Sequence, residues 1–436
     1  MIHRAIRSPL RPTLASPFLR AILAGGGGAA PASVSISPFG RINGAALANS
    51  GTKRVLVSRS KQVIGADCDS IRPLLMGWYY TASAIADGTS HTLEAYVEAN
   101  GQIVQVTFSG SASRTVAGAD TALADPLSAS SFGLSQFSRD SVVWVQAKQT
   151  LAATGSIPII TSGGANFPAQ TGENAVLLDP ATATITFGTA GALVVGGTGA
   201  TSGQVRPGMF LIATPKTAQR VIAAAGTSIV AGAGDGAALN GVSPGRGFFT
   251  RSNFTDPIAL TGATPALNLG CFGGTANIFT GVNSARVVAL LQYANAGLEE
   301  FGTNGTAMGS QQTATLAIWA AMRAAGYTTI IRTRLLSSTT STDLYLTTAN
   351  QTYASAAWTP PAGDKPTFDA WALGKLGAAD GPTHYIDFPA VHDATLNYKW
   401  AVDGVTTRLM TSDGLHPSPN AAALMAADMR SLYATL

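Results

Sequence analysis

The sequence is poor in charge and in long apolar runs. Lys, Arg, Asp and Glu make up only 11% of its 436 residues, and the formal net charge is +4. A net charge this small, without a basic stripe interleaved with aromatic residues, argues against nucleic acid as a partner. No stretch of about 18 apolar residues runs uninterrupted by glycine, so no membrane span is predicted.

Cysteine is also scarce. Cys68 and Cys271 are the only two, and they fall in different predicted domains, so two buried thiols are a better interpretation than a disulfide framework. No cluster of His, Cys and Asp has metal-ligand spacing, and no lysine-containing phosphate loop or Gly-x-Ser-x-Gly elbow occurs. We therefore predict neither a cofactor nor a metal.

An apolar share of 46% predicts a folded chain, and its length suits two to three domains. We divide it into residues 1–30, 31–215 and 216–436. Residues 1–30 form a basic arm that is broken by three prolines, repeats a Ser-Pro-apolar unit and ends in a glycine linker. Because Arg11 and Arg20 interrupt its apolar segment, we interpret the arm as a docking peptide, with a signal peptide as the alternative.

Residues 31–215 contain short strands separated by clusters of Gly, Asn, Asp and Ser. Apolar and polar residues alternate in several segments, which is typical of half-buried strands. The clearest segments are 53–58, 92–98, 103–108 and 141–147. The pattern predicts two packed antiparallel sheets, an all-β sandwich of jelly-roll type.

From about residue 219 the pattern changes to alternating strands and helices. The predicted strands are 220–225, 285–293, 328–334 and 384–388, and the predicted helices are 310–325 and a last one capped by Ser418 with Pro419 at its first position. This α/β alternation predicts a parallel doubly wound sheet. In such a sheet, binding and catalytic residues lie at the C-terminal ends of the strands.

Four short polar blocks carry the candidate chemistry. They are Gly226-Thr227-Ser228-Ile229, Asn268-Leu269-Gly270-Cys271-Phe272-Gly273, Gly302-Thr303-Asn304-Gly305 and Asp413-Gly414-Leu415-His416-Pro417. Each alone has an ordinary structural reading, such as a helix cap at the serine or a polar turn at the Asp-His pair. Together, in this order and near strand ends, they favour a catalytic site.

Acyl transfer explains why these residue types occur together. A serine hydroxyl needs a neutral imidazole to take its proton, and a carboxylate sets the tautomer of that imidazole. Ser228, His416 and Asp413 therefore form a candidate triad. The N–H groups of Ser228 and Gly273 and the side-chain amide of Asn304 are candidate oxyanion donors. Asp235 is interpreted as a loop residue, and His384 and His392 as structural.

The four blocks resemble those of the SGNH (GDSL) hydrolase family, whose Ser, Gly, Asn and His match Ser228, Gly273, Asn304 and His416. The resemblance covers residues 219–436. It implies a flavodoxin-like three-layer α/β/α domain and an esterase, lipase or polysaccharide deacetylase without cofactors. Two positions depart from the family pattern, since Thr227 and Gly305 stand where the family usually has aspartates that brace the site loops.

The region before this domain also resembles a known type, the jelly-roll modules of bacteriophage tail proteins, through the turn at 124–127 and the strand at Trp144 and Val145. This resemblance predicts a carbohydrate O-deacetylase of a virion tail, or an extracellular one, acting on acylated bacterial surface polysaccharide. Residues 1–30 would bind virion tail proteins, and a homo-oligomer fits that setting. The alternatives are a catalytically impaired structural or receptor-binding tail protein and a secreted cellular esterase or lipase.

Overall fold

The computed structural model describes residues 33–49, 51–160, 171–203, 206–235, 247–305, 307–393, 395, 397–404 and 409–436. The predicted docking arm, residues 1–30, lies outside the described residues. Within them the chain is a mixed α/β protein with many strands and few helices. No helix in these ranges has both the length and the apolar character needed to cross a membrane.

The described residues up to position 213 form short strands and one 3₁₀ turn, Ala129–Phe132. The strands are β1 Val34–Ser35, β2 Ala45–Asn49, β3 Val55–Val63, β4 Ser70–Met76, β5 Trp78–Tyr80, β6 Ile85–Asp87, β7 His91–Ala99, β8 Gln102–Gln105, β9 Ser113–Val116, β10 Thr121–Leu123, β11 Leu127–Ser128, β12 Val142–Leu151, β13 Gly155–Ile159, β14 Asn174–Leu178, β15 Ala183–Ile185, β16 Val195–Gly197, β17 Ala200–Gly203 and β18 Met209–Ala213. Their pairings are all antiparallel.

Two larger sheets dominate this region. One has the order β17-β14-β3-β12-β7-β8, with β9 also on β7, and the other has the order β1-β18-β4-β10, with β11 also on β4. Alternate residues of β7, including Leu93 and Val97, are buried in the same core as Leu74 and Phe210 of the second sheet. Burial of one face explains the alternating pattern in the sequence. The jelly-roll connectivity itself stays a prediction.

The second half of the chain alternates strands with helices. The strands are β19 Ile222–Gly226, β20 Ala266–Gly270, β21 Ala296–Glu299, β22 Thr329–Thr333, β23 Thr339–Ser341, β24 Gln351–Tyr353 and β25 His384–Ile386. The helices are α1 Ser228–Ala231, α2 Gly247–Ser252, α3 Ala285–Leu290, α4 Met308–Ala324, α5 Asp364–Gly374 and α6 Pro419–Tyr433, with 3₁₀ turns Ala276–Phe279, Leu291–Tyr293 and Ala356–Trp358.

Five of these strands form a parallel sheet in the order β20-β19-β21-β22-β25. In chain order this is 2-1-3-4-5, an order known in doubly wound sheets. Ala223 of β19 shares a core with Trp319 of α4, whereas the adjacent Ala224 shares another core with Met425 of α6. Because successive strand residues point to opposite faces, the two faces of the sheet pack against different helices.

One predicted strand is wrong. Residues 285–293 form helix α3 and a 3₁₀ turn, and the sheet position belongs to β21. The buried Val287, Leu290 and Leu291 have helical spacing, which a short apolar run does not distinguish from a strand. The other predicted strands of this half, 220–225, 328–334 and 384–388, correspond to β19, β22 and β25 with shorter bounds.

The predicted helices are confirmed. The 310–325 helix is α4, and the last helix is α6, with Pro419 in its first turn. Its cap is Ser418, whose hydroxyl accepts a hydrogen bond from the N–H of Ala421 at 3.2 Å.

The two cysteines are buried thiols, also as predicted, and burial raises the pKa of each to about 12.

Candidate active site

The polar blocks follow three neighbouring strands of the parallel sheet. Ser228 comes directly after β19, the Gly273 loop follows β20, and Asn304 follows β21. Because parallel strands end at the same edge of a sheet, these segments converge there. The Asp413–His416 turn precedes α6 and reaches the same place from outside the sheet.

Ser228 begins helix α1, and Thr227 is its N-cap. The Thr227 backbone is extended, and its hydroxyl accepts a hydrogen bond from the N–H of Ile229 at 3.2 Å. Gly226 is required immediately before this turn, since a Cβ there would lie 2.4 Å from the Val230 side chain and 2.8 Å from a carboxylate oxygen of Glu300. The tight strand-to-helix turn therefore sets where the serine hydroxyl points.

The structure brings the three predicted triad residues into one hydrogen-bonded chain. The Ser228 hydroxyl lies 2.9 Å from Nε2 of His416, and Nδ1 of His416 lies 2.7 Å from Oδ2 of Asp413. With the Nδ1 proton donated to the carboxylate, Nε2 is the atom that accepts from the serine. Nucleophile, base and orienting carboxylate stand in the order that acyl transfer needs.

The Asp413 carboxylate organises its own turn. Its Oδ1 accepts hydrogen bonds from the N–H groups of Leu415 at 2.9 Å and His416 at 2.8 Å. Partial burial opposes its charge, but the hydrogen bonds from the side chain and backbone of His416 outweigh burial and lower the pKa of Asp413. Gly414, at φ +80°, passes so close to the Thr339 carbonyl that a side chain would collide with it.

The predicted oxyanion donors lie on adjacent loops. The Asn304 side chain donates an Nδ2 hydrogen bond to the carbonyl of Gly274 at 3.1 Å, which uses one of its two hydrogens. Gly273, next to that carbonyl, is exposed and has φ +64°. Ser228 contributes the N–H of a first helical turn, which has no intrahelical acceptor. Their oxyanion role stays a proposal, since the hydrogen bonds link Asn304 with the Gly273 loop but not with Ser228.

Thr227, one of the two departures from the SGNH pattern, is braced by Glu300, which lies outside the four polar blocks. Its backbone N–H and its hydroxyl both donate to Oε2 of Glu300, each at 2.8 Å. Glu300 is 2% exposed. Burial raises its pKa to about 7, although the Thr227 hydrogen bonds act in the opposite direction. The buried Glu300 carboxyl thus holds the turn between β19 and α1 that carries Ser228.

The second departure, Gly305, is explained by Gln311 and Lys365. A Cβ at position 305 would lie 1.7 Å from Nε2 of Gln311, whose side chain fills that space and donates to the Gly302 carbonyl at 2.9 Å. The ammonium of Lys365 donates to the carbonyls of Gly302 and Gly305. Burial lowers the pKa of Lys365 to about 8. Two side chains from α4 and α5 therefore hold the turn that carries Asn304.

The sequence contained a signal for only one of these bracing residues. Glu300 directly follows an apolar strand as the second of two consecutive carboxylates, and such a buried acidic pair needs partners. Its neighbour Glu299 pairs with the buried Arg332 at 2.9 Å. Gln311 and Lys365 lie in ordinary helical sequence, and only the tertiary packing brings them to the site.

Asp235 has a structural role, whereas the structural roles of His384 and His392 stay predictions. Asp235 forms a fully buried pair with Arg251 at 2.6 Å. Nδ1 of His384 lies 2.8 Å from the hydroxyl of Thr383. His392 is buried, which lowers its pKa to about 3, with Arg334 acting in the same direction. Among the described residues, no group of three or more His, Cys, Asp or Glu is arranged to hold a metal ion.

No protein-family model and no curated protein matches the sequence. A solved structure that is similar comes from Bacteroides ovatus and is described as a GDSL-like lipase. It has 12% sequence identity and a TM-score of 0.29, and the match covers 87% of this chain and 81% of that chain. A TM-score this low does not define the fold, so the chemistry of the site is inferred from its own side-chain geometry.

Proposed function

We propose that this protein is a serine ester hydrolase of the SGNH type, with residues 216–436 as a flavodoxin-like three-layer hydrolase domain. The observation that carries the proposal is the hydrogen-bonded chain from Ser228 through His416 to Asp413. The order of the four sequence blocks supports it.

In the proposed reaction the Ser228 oxygen attacks the ester carbonyl while Nε2 of His416 takes the hydroxyl proton. The tetrahedral oxyanion accepts hydrogen bonds from the Ser228 and Gly273 N–H groups and from the second amide hydrogen of Asn304. Collapse breaks the ester C–O bond, and His416 returns the proton to the leaving alcohol. A water molecule, deprotonated by His416, then hydrolyses the acyl-serine and releases the acid.

For the substrate, we propose acetyl esters of a bacterial surface polysaccharide. The resemblance of residues 31–215 to tail-protein modules supports a virion tail setting, with residues 1–30 as the attachment segment. The same resemblance supports an extracellular site of action. A catalytically impaired receptor-binding tail protein is the second candidate, favoured by the departures at Thr227 and Gly305.

The test is acetate release from an acetylated host polysaccharide and hydrolysis of an aryl acetate. Wild-type protein should catalyse both reactions, and Ser228→Ala should catalyse neither while keeping its circular dichroism spectrum. Ser431→Ala, an exposed serine on α6, is the matched control and should behave as wild type. Polysaccharide binding without hydrolysis of either ester would support the second candidate instead.

A further inference from the structure

A polar cleft opens beside Asn304. One wall comes from the Asn304 turn and the start of α4, and the other from the loop after β20 and the tip of the β5–β6 hairpin. Its polar lining consists of Ser83, Thr275, Asn277, Asn304, Ser310 and Gln311. The rest of the described lining is alanine and glycine, so the cleft presents hydroxyl and amide groups and neither charge nor large apolar side chains.

The hairpin wall belongs to the antiparallel region, yet it is bonded to the loop that carries Gly273. The Ala82 carbonyl accepts a hydrogen bond from the N–H of Thr275 at 2.8 Å. The side chain of Asn283 donates to the Ile85 carbonyl at 3.0 Å, and Arg286 forms an ion pair with Asp87. The hairpin is anchored on its other side by Trp78, which is fully buried and donates from Nε1 to the Thr121 hydroxyl at 3.0 Å.

Exposed polar side chains stand on both walls of the cleft. Ser83 and Asn277 are exposed on one wall, and Ser310 is exposed on the other. Hydroxyl and amide groups both donate and accept hydrogen bonds, so a ligand with several hydroxyls would find partners on each wall.

The described lining lacks the side chains that other substrate classes need. A pocket for a long acyl chain would be lined by apolar and aromatic side chains, and a pocket for an acidic sugar would hold Lys or Arg. We infer that this cleft is the subsite for a neutral, hydroxyl-rich sugar unit next to the acylated one, and that Ser83 of the β5–β6 hairpin sets its width. The inference rests on the proposed function and deepens it, because it assigns part of substrate recognition to the antiparallel region.

The experiment compares Ser83→Trp, which fills the cleft, and Asn277→Ala, which removes an amide, with Ser111→Trp at an exposed position that does not line the cleft. Two readouts are used for the full chain. One is kcat/KM on partially acetylated neutral oligosaccharides, on para-nitrophenyl acetate and on para-nitrophenyl octanoate. The other is calorimetric binding of unacetylated neutral oligosaccharides of xylan, glucan, mannan and galactan type.

We expect both cleft variants to lose about tenfold more kcat/KM on the acetylated oligosaccharides than on the aryl acetate, and to bind an unacetylated oligosaccharide more weakly. Ser111→Trp should match wild type in both readouts. The inference is overturned if no neutral oligosaccharide binds, if the cleft variants bind as wild type does, or if octanoate turnover is the one selectively lost.

Failure of the proposed function has a different signature. Wild-type protein would then hydrolyse no ester, and the binding measurement would still decide whether the cleft holds a neutral sugar. If Ser83→Trp does not fold, as judged by circular dichroism, Asn277→Ala gives the decision, because it removes an exposed side chain from a short 3₁₀ turn.

Discussion

Thr227 donates both its backbone N–H and its hydroxyl to a single oxygen of Glu300, at 2.8 Å each. The residue before the candidate nucleophile is therefore held by the carboxyl of Glu300, which is 2% exposed and directly follows the neighbouring strand. This contact supplies a brace where the family pattern would place an aspartate. The position of Ser228 therefore depends on a residue outside the candidate triad.

Glu300→Gln should keep most of the activity and Glu300→Ala should lose it. A glutamine carbonyl can accept both Thr227 hydrogen bonds, whereas alanine leaves two buried donors unpaired. We expect a loss in kcat of less than about threefold for the glutamine variant and of about tenfold or more for the alanine variant, with KM nearly constant. Steady-state kinetics on an aryl acetate would check this. Equal losses in the two variants would contradict a positioning role through accepted hydrogen bonds.

Glu300 also predicts a pH dependence of stability. Burial raises its pKa to about 7, above the value of ~4.3 in an unfolded chain, so the folded state binds the extra proton between these values. Its contribution to stability is fully present below about pH 4 and is lost as the pH rises through 7. The melting temperature of Glu300→Gln relative to wild type should therefore increase from pH 5 to pH 8. A constant difference across this range would show that Glu300 does not titrate there.

His416→Ala should lower kcat by about 10⁴–10⁶-fold, and Asp413→Asn should lower it by about 10⁴-fold, because triad members act as a unit. The asparagine keeps a hydrogen bond to the imidazole but favours the wrong tautomer. A double variant of His416 and Asp413 should be little worse than His416→Ala alone. Additive losses in a burst and steady-state assay would argue that the two residues act independently.

Asn304→Ala should lower kcat by about 10²-fold with little change in KM, since the oxyanion develops only in the transition state. Asn304→Asp serves as the comparison, because both variants lose the hydrogen bond to the Gly274 carbonyl but only the aspartate keeps the side-chain volume. The aspartate keeps the size of the side chain but replaces the amide donor with an acceptor, and it should be at least as impaired. A rise in KM alone would instead assign Asn304 to ground-state binding.

If the proposed tail setting holds, deleting residues 1–28 should leave ester hydrolysis unchanged and prevent incorporation into virions. The sequence of the arm is basic, contains three prolines and repeats a Ser-Pro-apolar unit, which favours a docking role. Immunoblots of purified particles would measure incorporation, with aryl acetate turnover as the control. Recovery of the protein from the medium, cleaved near Ala30, would identify the segment as a signal peptide and the protein as secreted.

Sequence patterns predicted the parallel α/β sheet correctly but misplaced one of its strands. Strand β19 and helices α4 and α6 carry strong local signals, namely a buried apolar run, a helical stripe and the Ser418 cap. The short apolar run at residues 285–293 fits both the helical and the strand periodicity, so its pattern does not distinguish the two. Pairing with β19 in the folded sheet decides that β21 is the strand and that α3 is a helix.

The sequence by itself determined the residues of the candidate triad, because Asp413 and His416 lie on one turn and the chemistry of acyl transfer limits which partners they need. The tertiary structure decided how the site is held together. Glu300, Gln311 and Lys365 come from separate elements, and their roles arise from burial, which no local pattern encodes. The hairpin that carries Ser83 is held at the cleft by contacts between residues that are far apart in the sequence. In the Asn283–Ile85 hydrogen bond the two residues are separated by 198 positions. Such contacts depend on how two sheets pack, and packing is a property of the whole chain.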